Sequence, residues 1–510
     1  MKQSDTDRTK YSLYNALSAI MLTFVNGFFG IIVTRLIIGK FGSDFNGLNS
    51  TANQIINVLL LMEGGFTLAS NVALFAPLSN SDYITSNSIL NATRQIFKKI
   101  GFAFLGIGIA VAAFYSMLVN SALPQEFVFT LVLMALAPQA VNFFYTTSYR
   151  ILLRAQQKEF VITGFTALTI GAGHIVNILL ITHDGKMWMI RFVTMCFAIF
   201  NCFLITGYTK RKNSFLDSSV KGDNNLIKGT KDVMAQKITG AVYSSWPIIF
   251  LSVSSTGGTV LASVYAVYNS VFMILKALLH AVIDAPRLGF GEMLSQRKRE
   301  DVWPAFKEYE FVAVFLIFVT MITAFVMILP FISLYTRGVA DTNYYDEWIA
   351  VFMSVICVFE LLHIPSGHLI NMSGNFKISK KFQIIACLVL IISMFFLGSM
   401  FGVHGMLLSI LFVALLLAFL EIAFIHSFFF CKKARDFMAL VMPFLFVGFL
   451  IAVKEKDLIG TVNSIGEFIL KALIALSLNI IIALGLGLLF NKRETRSLFN
   501  RINRVIKKRL

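Results

Sequence analysis

The sequence predicts an all-α polytopic membrane protein of about 14 transmembrane helices, and three observations carry that prediction. Continuous apolar runs of 20 or more residues recur along a 510-residue chain that is 57% hydrophobic and only 14% charged. A hydrocarbon core roughly 30 Å thick is crossed by ~20 apolar residues in a helix. The runs are unbroken rather than alternating, which excludes a barrel. The basic residues also sort by side. Of the 44 Lys and Arg, 34 fall on alternate connections that include both termini, five fall on the other connections and five lie within spans. That asymmetry predicts a multi-pass protein with both termini cytoplasmic.

In chain order, the expected spans are 12–38, 48–77, 98–120, 127–149, 159–182, 187–208, 233–254, 259–284, 309–335, 348–373, 382–401, 404–430, 437–453 and 463–490. The polar start MKQSDTDRTKYS is followed by no short apolar region with a small-residue cleavage site, so no cleaved signal peptide is expected. The inner connections carry clusters such as Arg94, Lys98 and Lys99, whereas the outer ones hold only Lys40, Lys186, Arg337, Lys454 and Lys456. The longest inner connection divides the chain. The expected organisation is a first lobe at 1–208 with spans 1–6, a cytoplasmic inter-lobe loop at 209–232, a second lobe at 233–436 with spans 7–12, and spans 13 and 14 with a basic cytoplasmic tail at 437–510. An internal match supports two halves. GSDFNGLNSTAN from Gly42 aligns without gaps on GTVLASVYAVYN from Gly258, each closing a short outer turn and opening an even-numbered span.

Several function classes are excluded. There is no P-loop, no GxSxG and no HExxH, so neither an ATP-driven pump nor a catalytic domain is expected, and no catalytic residue is assigned. The net charge of +17 follows topology rather than a nucleic-acid face. The five cysteines lack metal spacing and read as packing residues. No metal site is expected.

Four segments carry a family resemblance. RTKYSLYNALSAIMLTFVNGFFGIIVTRLIIGKFGSDFNGLNS resembles the first span and outer turn of Wzx-type polysaccharide flippases, of the multidrug/oligosaccharidyl-lipid/polysaccharide exporter superfamily. LLLMEGGFTLASNVALFAPLSNSD is similar to their second span, LPFISLYTRGVADTNY to the outer end of their ninth, and INMSGNFKISKKFQIIACLVLIISMFFLGSMFGVHGMLLS to the link between spans 10 and 12. One departure is Gly405-Met-Leu-Leu-Ser where the family has a Gly-Thr pair. The resemblance implies two six-helix lobes around a central cavity, working by alternating access. The implied cargo is an undecaprenyl-pyrophosphate-linked oligosaccharide or teichoic-acid precursor, moved from the inner to the outer leaflet. The expected partners are that lipid-linked saccharide and membrane lipid, with no nucleic acid, and the expected state is a monomer. No cofactor is expected beyond a coupling ion, H+ or Na+. The expected location is the plasma membrane, of a Gram-positive bacterium.

Such a cargo sets physical demands that the charges within spans can meet. Its pyrophosphate needs cations in a low-dielectric place, and its sugars need hydrogen-bonding groups. Lys276, His280 and Asp284 recur every four residues, on one helical face. Lys276 is the expected pyrophosphate ammonium and His280 a headgroup or proton site; a satisfied structural network is the other reading. Arg150 and Arg154 at the inner end of span 4, and Lys237 at the start of span 7, either snorkel to lipid phosphate or receive the headgroup. Arg35, near the outer end of span 1, either snorkels or makes an outer-half cargo contact. Arg191 and Lys471 read as interfacial anchors. Glu63, Glu360 and Asp284 are the expected coupling or gating carboxylates, with Glu421 a further buried one. Gly64-Gly65 after Glu63 predicts local unwinding, and His363 and His368, with Pro365 and Gly367 between them, predict a broken helix. His174 reads as a packed core histidine.

The alternative function is a cation-coupled multidrug antiporter of the same superfamily. That branch typically has twelve spans and acidic residues in the first lobe; here span 1 has no carboxylate and span 8 carries a lysine. A membrane-embedded transferase would need an acidic cluster at the cytoplasmic face, which the sequence lacks.

Overall fold

The computed structural model describes residues 5–227 and 231–498. Among them every regular element is helical and there is no strand. Eleven helices are long and apolar enough to cross a membrane. The reason is hydrogen bonding: hydrocarbon offers no partner to a backbone N–H or C=O, so each spanning segment satisfies its own. Contacts divide the chain into two units, Met1–Ser263 and Val264–Leu510.

The first unit contains α1 (Asp5–Leu59), α2 (Phe66–Ser79), α3 (Tyr83–Leu118), α4 (Gln125–Val141), α5 (Thr147–Ala155), α6 (Glu159–Thr182), α7 (Met187–Lys212) and α8 (Lys231–Val253). It also takes the opening turns of α9 (Gly258–Ile283). The 55-residue α1 is two helices joined at Gly42, whose φ of 84° and ψ of 169° suit glycine far better than any residue with a Cβ. Its second half tightens into a 3₁₀ turn at Leu60–Glu63 and breaks at Gly64, φ 54°, as the Gly-Gly pair predicts. A π-helical turn at Asn142–Thr146 follows Pro138 and separates α4 from α5. Lipid is as apolar as leucine, so these helices associate through close packing. Glycine permits it: a Cβ on Gly108 of α3 would stand 2.9 Å from the Leu136 side chain, and Phe104 meets Phe143 edge-on at 5.2 Å.

The connection after α7 is not a free loop. Asn87 and Asn91 of α3 donate to the carbonyls of Phe215 (2.7 Å), Asp217 (3.0 Å) and Val220 (2.8 Å), and Ser88 to that of Lys221 (2.8 Å). Tyr83 stacks on Phe215 at 4.6 Å. Residues 213–227 thus form a strap laid along the first turns of α3.

The second unit continues α9 and adds α10 (Arg287–Gln296), α11 (Arg299–Tyr335), α12 (Glu347–Leu362), α13 (Ile364–Met372), α14 (Phe376–Ser393), α15 (Ser399–Ala423), α16 (Arg435–Ile459) and α17 (Ile465–Phe490). Asp346 caps α12 through the amides of Trp348 (2.9 Å) and Ile349 (3.0 Å). The expected break lies at His363, and Pro365 falls in the first turn of α13, where its missing N–H costs nothing. α16 and α17 dock on α11: Phe444 packs against Phe311 and Phe318, and the buried Asn479 donates to Thr323 (3.1 Å) and Glu455 (3.2 Å).

Candidate functional site

The second unit brings several titratable groups to the neighbourhood of the α12/α13 break. Lys276 of α9 and Glu360 of α12 form an ion pair at 2.9 Å, with side chains 19% and 16% exposed. Tyr265 and Cys357 flank the pair. One turn on, His363 Nδ1 lies 2.9 Å from Glu421 Oε2 on α15. Glu421 fits because residue 367 is glycine; a Cβ there would stand 2.6 Å from the same oxygen. Asp284 Oδ1 is shared by His280 and His368, each at 3.4 Å. Tyr309 donates to the Ile283 carbonyl at 2.6 Å and meets His368 Nδ1 at 3.0 Å.

The face expected to hold Lys276, His280 and Asp284 together therefore resolves into two pairings. His280 joins Asp284, while Lys276 turns to Glu360. Arithmetic along one helix could not show a partner 84 residues away. Among the other expected residues, Arg154 Nε donates to Glu159 at 3.0 Å. Arg150 is half-buried and its Nε has no hydrogen-bond partner. Arg35 is half-buried with its guanidinium along Gly39, and Glu63 is half-buried at the end of the 3₁₀ turn. Lys237 lies in α8, but its side chain falls outside the described residues. No group of three metal-ligating side chains occurs among the described residues.

Arg191 corrects an expectation. It is not an interfacial anchor: only 8% exposed, it reaches from α7 to the second half of α1, where Nη1 donates to Asn49 Oδ1 and Nη2 to Asn53 Oδ1, both at 2.9 Å. Its position near a span end suggested snorkelling, but the helix rotates it inward. Lys471, in the second turn of α17, donates to the Ile459 (2.7 Å) and Thr461 (2.9 Å) carbonyls and pairs with Glu467 at 2.8 Å. His174 stacks on Phe29 at 6.3 Å between centroids.

Sequence reasoning missed two further features. Glu310 and His426 form a pair at 2.9 Å with side chains 2% and 1% exposed, ringed by Trp303, Phe306 and Phe437. Glu310 lies at the edge of an expected span and carries no local signal. The second is a polar clasp within the first unit. Asp44 accepts from Ser121 Oγ (2.8 and 3.0 Å), the Ala122 amide (2.8 Å) and Thr259 Oγ1. The Thr259 amide donates to the Asn120 carbonyl at 3.0 Å, and Asn46 to Ser263 Oγ at 2.7 Å. A Cβ on Gly47 would lie 1.7 Å from the Thr259 carbonyl oxygen, so the two backbones touch. The turn glycines of the internal match, Gly42 and Gly258, share a φ of 84°.

No protein-family model matches the sequence, and no curated protein matches it. Solved structures do. A structure described as the lipid II flippase MurJ in an inward closed conformation is 14% identical, covers 95% of this chain and 99% of its own, and superposes with a TM-score of 0.67. The chain has the fold of that protein. An inward-facing multidrug resistance MATE family transporter of the MOP superfamily follows at 13% identity, 78% and 92% coverage, and a TM-score of 0.65. A MOP superfamily transporter from Pyrococcus furiosus, described by a reversed polarity of its binding pocket, gives 14%, 81% and 94%, and 0.52.

Proposed function

We propose that this chain is a non-enzymatic transporter that flips a lipid-linked saccharide with an anionic diphosphate headgroup across the plasma membrane by alternating access. The observation that carries the reading is Lys276, an ammonium held within an apolar helix opposite Glu360. A cation at that depth is costly, and such residues are retained for ion or substrate pathways. In this reading the resting Lys276–Glu360 pair exchanges for a Lys276–phosphate pair when cargo arrives. The organisation is two six-span lobes, spans 1–6 and 7–12, followed by two further spans. Kinks at Gly42, φ 84°, and at Gly402 within α15, φ 57°, divide two of the eleven long apolar helices among the described residues, and with the shorter apolar α8 they would supply fourteen spans. His280, Arg35, Arg150, Arg154 and Lys237 are the further headgroup contacts. Glu63, Asp284 and Glu360 serve coupling or gating with H+ or Na+, and both termini face the cytoplasm of a Gram-positive cell. Membrane potential assists outward passage of an anion by ~2.3 kcal/mol per charge per 100 mV.

The test is leaflet accounting of lipid-linked saccharides after depletion of the protein. Accumulation on the cytoplasmic side is expected, and the sugars of the accumulating species name the cargo. Lys276→Gln is expected to block export in a folded, inserted protein. The second reading, a cation-coupled multidrug antiporter, is favoured by the likeness to the MATE transporter. It wins if these lipids are distributed normally while depleted cells retain a cationic dye.

A further inference from the structure

We propose a second anion-binding site, built in the first unit by Arg191 and an amide stripe on the second half of α1, that takes the diphosphate and adjoining hydroxyls of the cargo. It rests on the lipid-linked saccharide reading only for the natural ligand; the site itself is argued from its own chemistry. Asn46, Asn49, Asn53 and Asn57 recur at intervals of three and four, which places them along one face of a helix. Asn53 and Asn57 are exposed on the second half of α1, and Asn57 donates to Gln54 Oε1 at 3.0 Å. Hydrocarbon offers no partner to an exposed amide, so this polar face is a wet one.

Arg191 adds the charge. Its guanidinium is fixed by two amide carbonyls, both neutral, and no charged side chain among the described residues lies close enough to compensate it. A brace between helices would not need that charge; a neutral amide would bridge the two asparagines without the desolvation penalty of a buried cation. The arrangement therefore holds a forked donor ready for an anion. Two of the five N–H groups are spent on Asn49 and Asn53, which set the plane of the fork and leave the others for phosphate oxygens. Asn53 is exposed, so open surface lies one hydrogen bond from the guanidinium. Amide side chains, with both donors and acceptors, suit the hydroxyls of a sugar attached to that phosphate.

The experiment is calorimetric titration of the purified full-length protein in nanodiscs with inorganic pyrophosphate and, separately, with undecaprenyl pyrophosphate. In a two-site fit, Arg191→Gln is expected to weaken one site about tenfold for both probes, and Asn53→Ala about threefold. Arg191→Lys keeps the charge but not the fork and is expected to fall between them. Wild-type affinity in folded Arg191→Gln overturns the proposal. So does a loss confined to inorganic pyrophosphate, which marks an adventitious ion only. If Arg191→Gln does not fold, unchanged binding by Asn53→Ala and by Arg191→Lys overturns it instead. The flippase reading fails separately, by normal leaflet distribution in depleted cells, whatever Arg191 does to pyrophosphate.

Discussion

Both units place positive charge within apolar helices, and Arg191 in the first and Lys276 in the second are held in different ways. In the second unit several cationic or titratable groups are matched to carboxylates: Lys276 to Glu360, His363 to Glu421, His280 and His368 to Asp284, His404 to Asp346 and His426 to Glu310. In the first unit Arg191 is held by neutral amides, His174 stacks on Phe29 and His183 rests on the Leu179 carbonyl at 2.9 Å. A guanidinium does not titrate at any physiological pH, whereas imidazole is the side chain whose ordinary range lies nearest neutrality. Under the proposed function, Arg191 supplies the first unit with a fixed charge, whereas the second unit offers histidine–carboxylate pairs.

Four experiments bear on that contrast. The largest effect is expected for Glu310→Ala, which leaves His426 buried with its carboxylate gone. Losing one partner of a fully buried pair costs about 3–5 kcal/mol, read as a fall in the thermal unfolding midpoint. An unchanged midpoint would show that the second unit does not depend on its pairs. Gly47→Ala comes next. The added methyl meets the Thr259 carbonyl, so cross-linking between Asn46→Cys and Ser263→Cys should fall about tenfold, a shift of ~1.4 kcal/mol against the clasped arrangement. The third is a pH profile of export. His363→Gln should flatten it, because His363 Nδ1 faces Glu421 Oε2 at 2.9 Å and an amide there exchanges no proton. Arg191→Lys should lower export without changing the profile's shape; a changed shape would erase the distinction between the units.

The smallest effect concerns Asp82, the cap of α3 outside the membrane. Its carboxylate accepts from the Thr85 amide at 3.0 Å, and Thr85 holds its carboxyl below the usual aspartate value. A depressed folded pKa means the contribution is present above the unfolded value of ~3.9 and is lost as pH falls through the folded value. Asp82→Asn should therefore show a slightly shallower loss of thermal stability on acidification. Identical acid profiles would remove the cap from the account.

What the sequence made legible was local. Gly42 and Gly258 have positive φ, Gly64 ends a 3₁₀ turn, and Pro365 opens a helix after a break, each because the backbone demand falls on the residue itself. The long helices were legible for the same reason, since length and apolarity decide them. Pairing was not. Lys276 finds Glu360 across 84 residues and Arg191 finds Asn53 across 138, and no periodicity in either segment points to the other. The asparagine spacing in α1 is visible in the sequence, yet it gains meaning only once a guanidinium is seen among the amides. The strap at 213–227 likewise reads as a loop, because amides donating to backbone carbonyls leave no pattern in the strap's own residues.

The clasp around Asp44 has a kinetic consequence. Its members are hydroxyls, amides and backbone groups gathered on one carboxylate. Each neutral bond is worth a net 0.5–1.5 kcal/mol or so and each bond to the carboxylate about 1.5–3 kcal/mol, because water offers a replacement as the partners separate. Bridging waters carry nearly the enthalpy of the direct bond. The turns can therefore come apart bond by bond, each lost contact being solvated before the next gives way, and no single step is high. The close backbone contact at Gly47, by contrast, releases as a unit. A closure built in this way is tight at rest and quick to undo, with microseconds to milliseconds as its natural scale.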